Sequence, residues 1–121
     1  MNRQALGHSW EAVARDYLQN SGLRILKQRY RCRLGELDLV CRDQSTLVVV
    51  EVRARKKDSL TSALDSIDWN KRRRIILATR HLLMCNPQWN ARPLRFDVFT
   101  VSDIDTATPQ FLWTQNAFDA D

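Results

Sequence analysis

The stretch GELDLVCRDQSTLVVVEVRAR, residues 35–55, decides the fold. Two apolar runs, residues 36–42 and 46–54, are separated by Asp43, Gln44 and Ser45, residue types that favour a tight turn. Strand-favouring residues and the alternation along each run predict two strands, and the short connection makes them an antiparallel hairpin. A turn centred near Gln44 and Ser45 pairs residues whose numbers sum to about 89, which sets Asp38 against Glu51. With a period of two, Leu37, Leu39, Cys41, Val48, Val50 and Val52 share one apolar face. Glu36, Asp38, Glu51, Arg53 and Arg55 share the other with Val40 and Val49.

Like charges directly opposed across two strands are destabilising, and partial burial raises the pKa of a carboxylate in such a pair. A divalent cation reverses that cost. Mg²⁺ or Mn²⁺ takes oxygen ligands, commonly one or two carboxylates with water and substrate phosphate completing the shell. Arg53, two residues after Glu51 on the same face, is placed to stabilise charge at a phosphorus centre. The chemistry this predicts is metal-assisted phosphodiester hydrolysis, in which the ion activates a water and polarises a phosphoryl oxygen. A second reading stands beside it: Arg53 and Arg42 neutralise the acids in a surface charge network.

Outward from the hairpin, Ser9 is expected to cap a helix whose stripe Trp10, Val13, Ala14, Tyr17 and Leu18 has helical spacing, with Gly22 at its end. Glu11 lies beside that stripe, near the positive end of the helix dipole. LRILKQRY, residues 23–30, reads as an edge strand. After RARKK, a long amphipathic helix carries Trp69, Ile75, Ile76, Ala78, Leu82 and Leu83 on its apolar face and ends before Pro87, with a break expected near residues 65–69. LRFDVFTV, residues 94–101, alternates as a strand, and QFLWTQNAF, residues 110–118, is a last strand or a helical tail. This order predicts an α/β fold with a mixed sheet flanked by helices, in which the later strand returns in parallel through the long helix.

At 121 residues the chain suits one domain with a real core. Its 44% hydrophobic and 27% charged residues, with only three glycines and three prolines, exclude a low-complexity chain. A net charge of +5 favours anionic partners, nucleic acid first, with acidic lipid and simple solubility as alternatives. Cys32, Cys41 and Cys85 lack a C-x-x-C spacing and read as reduced, mostly buried thiols. There is no signal-peptide pattern and no run of apolar residues long enough to span a bilayer, so a cytoplasmic protein is expected.

The run Lys71, Arg72, Arg73 and Arg74, with Arg53, Arg55, Lys56 and Lys57, predicts a stripe that neutralises phosphates without reading sequence. The alternative for the run is a solvated helix face. His8 and His81 have no metal-ligand spacing and read as surface or capping residues. Of Trp10, Trp69, Trp89 and Trp113, the first two belong to core stripes, and Trp89, in a loop, is the better placed to stack on a base. Asp97 pairs with Arg95 along its strand and carries no assigned role.

Asp38, then twelve residues, then Glu51-Val52-Arg53 resembles the D-x(n)-(D/E)-x-K core of the PD-(D/E)XK nuclease superfamily. Together GHSWEAVARDYL, GELDLV, VVVEVRAR, Lys71 and RFDVFTV resemble the YraN-like family of small uncharacterised proteins, over nearly the whole chain. That family is similar in fold and motif layout to archaeal Holliday-junction resolvases, which cut branched DNA with a divalent metal. The resemblance implies a restriction-endonuclease-like fold, metal-binding acids at Asp38 and Glu51, an accessory acid at Glu11, and Arg53 in place of the motif lysine. Arginine stays protonated, so it can orient groups and stabilise charge but cannot transfer a proton. Leu37 stands at the position of the motif's proline, and KKDSLTSA replaces the usual glycine-bearing loop. Two functions follow as expectations. One is a Mg²⁺- or Mn²⁺-dependent DNA nuclease selective for branched or structured DNA, suited to a two-fold homodimer. The other is a catalytically inactive nucleic-acid-binding module of the same fold.

Overall fold

A computed structural model describes residues 3–58 and 67–120, and of residues 3–9 the backbone alone. Its elements run α1 (Arg3–Asn20), β1 (Arg24–Cys32), β2 (Gly35–Asp43), β3 (Thr46–Ala54), α2 (Trp69–Cys85), a 3₁₀ turn (Pro87–Trp89), β4 (Leu94–Ser102) and β5 (Gln110–Phe118). The five strands lie in one sheet in chain order, all neighbours antiparallel except β3 and β4, which are parallel and joined through α2. This is the α/β fold with a mixed sheet expected from the sequence, and it is consistent with the restriction-endonuclease-like fold that the motif implies.

The hairpin forms as read. Asp43 pairs Thr46 and Leu39 pairs Val50, so every paired sum is 89, and Gln44 takes a positive φ of 55° in the two-residue turn. β3 lies in mid-sheet with both faces covered, which is why TLVVVEVRA is almost continuously buried. Ala14 and Leu18 of α1 pack with Leu39, Cys41, Val48, Val50, Val52, Phe99 and Val101 on one side. On the other, Ile75, Ala78 and Leu82 of α2 pack with Val40, Leu47, Val49, Phe96 and Val98. Each such large side chain contributes roughly 1.5–3 kcal/mol when fully buried.

Leu37 departs from the expected face. It belongs to the α2-side core with Val40, whereas Leu39 lies on the α1 side. The cause is local: Asp38 has no Cα partner on either neighbouring strand, and Arg29, the residue across from it on β1, takes a positive φ of 49°. One residue out of the pleat lets the alternation slip, as at a bulge.

Two helix ends also differ from expectation. Ser9 lies inside α1 rather than capping it, since the helix starts at Arg3. Its C-terminus is as read: Gly22 at φ +101° lets its own N–H donate to Gln19 O and the Leu23 N–H donate to Leu18 O, the Schellman pattern. α2 begins at Trp69, and Asp68 caps it by accepting from the Lys71 N–H at 2.9 Å. The expected break near residues 65–69 falls partly outside the described residues. Trp69, placed on the apolar face by its spacing, is 69% exposed; it is the first residue of α2, whose buried residues begin at Ile75. At Gly35 a Cβ would meet Arg74 O at 2.9 Å, so glycine is what allows the start of β2 to pass close under α2.

Candidate active site

Asp38 and Glu51 meet where the β2–β3 ladder stops. Beyond Leu39 and Val50 the side chains take over the backbone's hydrogen bonds: the Asp38 N–H donates to Glu51 Oε2 at 3.2 Å, and the Val52 N–H donates to Asp38 Oδ2 at 2.8 Å. This reciprocal arrangement fixes both carboxyls without a side chain of opposite charge. Both are deeply placed, with side chains 14% and 4% exposed respectively.

Arg53 leans across the pair. Its Nη1 lies 3.4 Å from Asp38 Oδ2 and its Nη2 3.7 Å from Glu51 Oε1, but its shortest bond, 2.9 Å, goes to Val52 O. Strong charge-assisted bonds between nitrogen and carboxylate run about 2.7–2.9 Å. The guanidinium is therefore anchored on a backbone carbonyl and neutralises the acids only in part. Its Nε is buried without a partner, as is Trp10 Nε1.

Glu11 arrives from α1. Its carboxyl stands 3.9 Å from Arg29 Nε and near enough to Asp38 for the two acids to interact. All three acids are harder to ionise than usual. Burial, then the charge of Asp38, pushes Glu11 up to about 7. Burial raises Asp38 against the opposing effect of the Val52 N–H and Arg53. Burial and the charge of Asp38 hold Glu51 well above the ordinary carboxylate range. Nearby Glu36 is exposed and ion-paired with Arg31 at 3.3 Å.

A cleft of about 350 Å³ opens over Glu11 and Asp38, lined with them by Trp10, Arg53, Arg55 and Lys71 among others; Glu51 does not line it and lies buried beside Asp38. Trp10, expected in the core stripe, both packs against the α1-side core and lines this cleft. The expected basic stripe is divided by helix geometry, since successive residues of a helix point about 100° apart. Arg53, Arg55 and Lys71 face the acids, whereas Arg72 and Arg73 line a separate groove. Arg74 is exposed, and Lys56 and Lys57 are exposed just after β3, where the Lys57 N–H donates to Asp105.

A divalent ion fits the chemistry of Asp38, Glu51 and Glu11. Among the described residues no three His, Cys, Asp or Glu side chains converge as a ready cage. Mg²⁺ and Mn²⁺ do not need one, since one or two carboxylates with water and phosphate suffice.

Other residues land elsewhere. His81 is half-buried, not on the surface, and its Nδ1 is hydrogen-bonded to Tyr30 Oη. The side chain of His8 lies outside the described residues. Trp89 is packed partly into the α2-side core, so it is not the open aromatic expected of it. Asp97 does pair with Arg95, at 3.1 Å, and is fully buried. It also accepts from the Trp113 indole and the Asn116 N–H, each at 2.9 Å, tying β5 to β4 where their register shifts. Cys32, Cys41 and Cys85 are free thiols; Cys41 is buried and Cys85 exposed. No described helix is long and apolar enough to cross a membrane.

Residues 10–101, from the base of the cleft on α1 to the end of β4, match the uncharacterised protein family UPF0102. The chain belongs to that family. A UPF0102 protein of Ectopseudomonas mendocina is 44% identical over 115 residues, 95% of each chain. UPF0102 proteins of Pseudomonas aeruginosa and Pseudomonas fluorescens are each 46% identical, over 94% of this chain and 92% of theirs. The YraN-like resemblance read from the motifs is to this family. The UPF0102 match contains Glu11, Asp38, Glu51, Arg53 and Lys71 together.

Proposed function

We propose that this UPF0102 protein is a divalent-metal-dependent nuclease that hydrolyses DNA phosphodiesters. The observation that carries the reading is the incomplete neutralisation of Asp38 and Glu51. Two buried carboxyls are held together by backbone N–H groups, and their one guanidinium neighbour sits at 3.4 and 3.7 Å with its best bond elsewhere. A purely structural ion pair would favour closer contacts.

Asp38 and Glu51 would hold Mg²⁺ or Mn²⁺, with Glu11 assisting. When bound, the ion would supply an activated water and a polarised phosphoryl oxygen. The protein's own part follows from the cleft. Arg53 stabilises negative charge developing on the phosphorus centre, and its unpartnered Nε, like Trp10 Nε1, is a donor in search of an acceptor. Arg55 and Lys71 at the rim hold flanking phosphates. Glu11, pushed up to about 7 by burial and by the charge of Asp38, can keep a proton near neutrality beside the Asp38 carboxyl. Branched or structured DNA is the substrate class suggested by the resemblance to junction resolvases, and a two-fold dimer suits cutting a symmetric junction.

The test is cleavage of labelled linear, flapped and four-way DNA with Mg²⁺ or Mn²⁺, beside Asp38→Ala and Glu51→Ala. Cleavage abolished in both variants is expected. Binding that survives in both, with no cleavage by the wild type in either metal, would instead establish a non-catalytic nucleic-acid-binding module.

A further inference from the structure

A second concave site lies on the far side of α2 from the acid cleft. It is a groove of about 490 Å³ between α2 and the end of β5, lined by Trp69, Arg72, Arg73, Arg80 and Phe118, with Asp119 as its one acid. Trp69 is a large apolar side chain left 69% exposed within this groove. The arginines are organised around the rings. The Arg72 guanidinium lies 5.4 Å over Phe118 while its Nε donates to Ile67 O at 3.0 Å, and that of Arg73 lies 5.8 Å over Trp69. Among the described residues none of the three arginines forms an ion pair.

We infer that this groove binds an unpaired stretch of nucleic acid, with a base stacked on Trp69 and adjacent phosphates on Arg72, Arg73 and Arg80. The inference rests on the chain acting on nucleic acid, but not on its cutting it. An open indole beside pre-positioned guanidinium groups is the combination that single strands need: a π-face for a base and cations for the backbone. Paired bases cannot reach a stacking platform of this kind. Position supports the same occupant. Lys71 lines the acid cleft, and its neighbours Trp69, Arg72 and Arg73 line the groove, so a strand leaving the cleft crosses the first turn of α2 to reach it. From Lys71 to Arg80 the helix rises about 14 Å, room for a short run of nucleotides. Substrates carrying an unpaired flank beside the scissile bond would therefore engage both sites.

The full chain in metal-free buffer with EDTA, where cleavage is silent, tests this by fluorescence anisotropy. The probes are a short oligothymidine, a blunt duplex, and the same duplex with an unpaired flank. Trp69→Ala should weaken binding of the oligothymidine and of the flanked duplex about tenfold, leaving the blunt duplex unchanged. Arg80→Ala should lower the slope of log affinity against log salt for oligothymidine by about 0.7. Oligothymidine should quench the wild-type indole fluorescence, and Trp69→Phe should remove most of that quench. Because Trp69 is exposed, the thermal midpoint of its variants should match the wild type. Equal losses on the blunt duplex, or no loss on any probe, overturn the inference. So does displacement of oligothymidine by polyglutamate at matched charge, which would assign the groove to an acidic protein segment. Strand binding that depends on Trp69 in a protein that cuts nothing sinks the catalytic reading alone. Cleavage by a protein whose strand binding ignores Trp69 sinks the groove alone.

Discussion

Replacing Glu11 by Gln should stabilise the metal-free protein from near neutral pH upward and leave it unchanged in acid. Burial and the nearby Asp38 carboxyl raise Glu11 from 4.5 to about 7 in the folded chain. Below pH 4.5 the group is protonated whether the chain is folded or not, so it costs the fold nothing. Above pH 4.5 the unfolded chain ionises freely while the folded chain resists until about pH 7, so stability is lost across that window and the loss is complete above it. At about 1.4 kcal/mol per pH unit the rise amounts to roughly 3 kcal/mol, and solvent screening of a side chain still partly open to water reduces it to about 1–2 kcal/mol. Glutamine keeps the size and the hydrogen-bonding capacity and removes the charge. Thermal unfolding in EDTA should then show Glu11→Gln melting about 4–8 °C above wild type at pH 8. The two proteins should coincide at pH 4. A variant less stable than wild type at pH 8 would mean that the 3.9 Å approach to Arg29 outweighs burial. A gain of the same size at pH 4 would show that the effect has nothing to do with ionisation. Either result refutes the electrostatic account of the site.

Mn²⁺ at a hundred times its dissociation constant should stabilise the wild type by about 2.7 kcal/mol in urea unfolding, and Asp38→Asn and Glu51→Gln should each abolish that increment. In a cleavage assay Arg53→Ala should lower the rate about 10²-fold, as expected for loss of a charge-stabilising donor; Arg53→Lys, which keeps the charge, should retain most of the rate. Gly35→Ala forces a Cβ against Arg74 O, 2.9 Å away, and should cost about 1–3 kcal/mol by denaturant unfolding, with α2 unable to settle as closely on β2. Asp97→Ala strips a fully buried acceptor from Arg95, Trp113 and Asn116 and should cost about 3–5 kcal/mol, visible as a large fall in Tm with no dependence on metal.

The hairpin was legible because its signals are local and agree: turn residues at 43–45, alternation on both sides, and a pairing sum that carries Asp38 to Glu51 without knowledge of any other element. The parallel return through α2 followed from the order of elements. What alternation could not reveal is the place where it fails. Asp38 leaves the pleat because its N–H and carboxyl bond to side chain and backbone across the gap, and that exchange sends Leu37 to the α2 side. Trp69 has the right spacing for the core but is the first residue of α2, ahead of the helix's first buried residue, Ile75, and no one-dimensional pattern records where along a helix burial begins. The start of α1 was misplaced because RQALGHS lacks an apolar stripe, and helix propensity extends the helix without one. Asp97 left a faint signal, a lone acid within an apolar strand two residues after an arginine, but its partners Trp113 and Asn116 lie on another strand.

The two readings open at the outset, a charge network and a metal site, turn out to describe the same atoms in different proportion. Arg53 does lie against both acids, as the network requires. Yet an arginine that served only to neutralise them would draw its fork onto the carboxylates, whereas this one donates its 2.9 Å bond to Val52 O and leaves its Nε without a partner. The consequence is a site with charge left over on both sides: carboxyls raised by burial and mutual repulsion, and a guanidinium with donors to spare. On the proposed function a cation would relieve the first and a phosphate the second, and each would make room for the other. Neutralising the acids by mutation should therefore improve binding of DNA while removing response to metal. Structural pairing predicts the opposite order, since loss of either acid would release Arg53 and loosen the end of the hairpin.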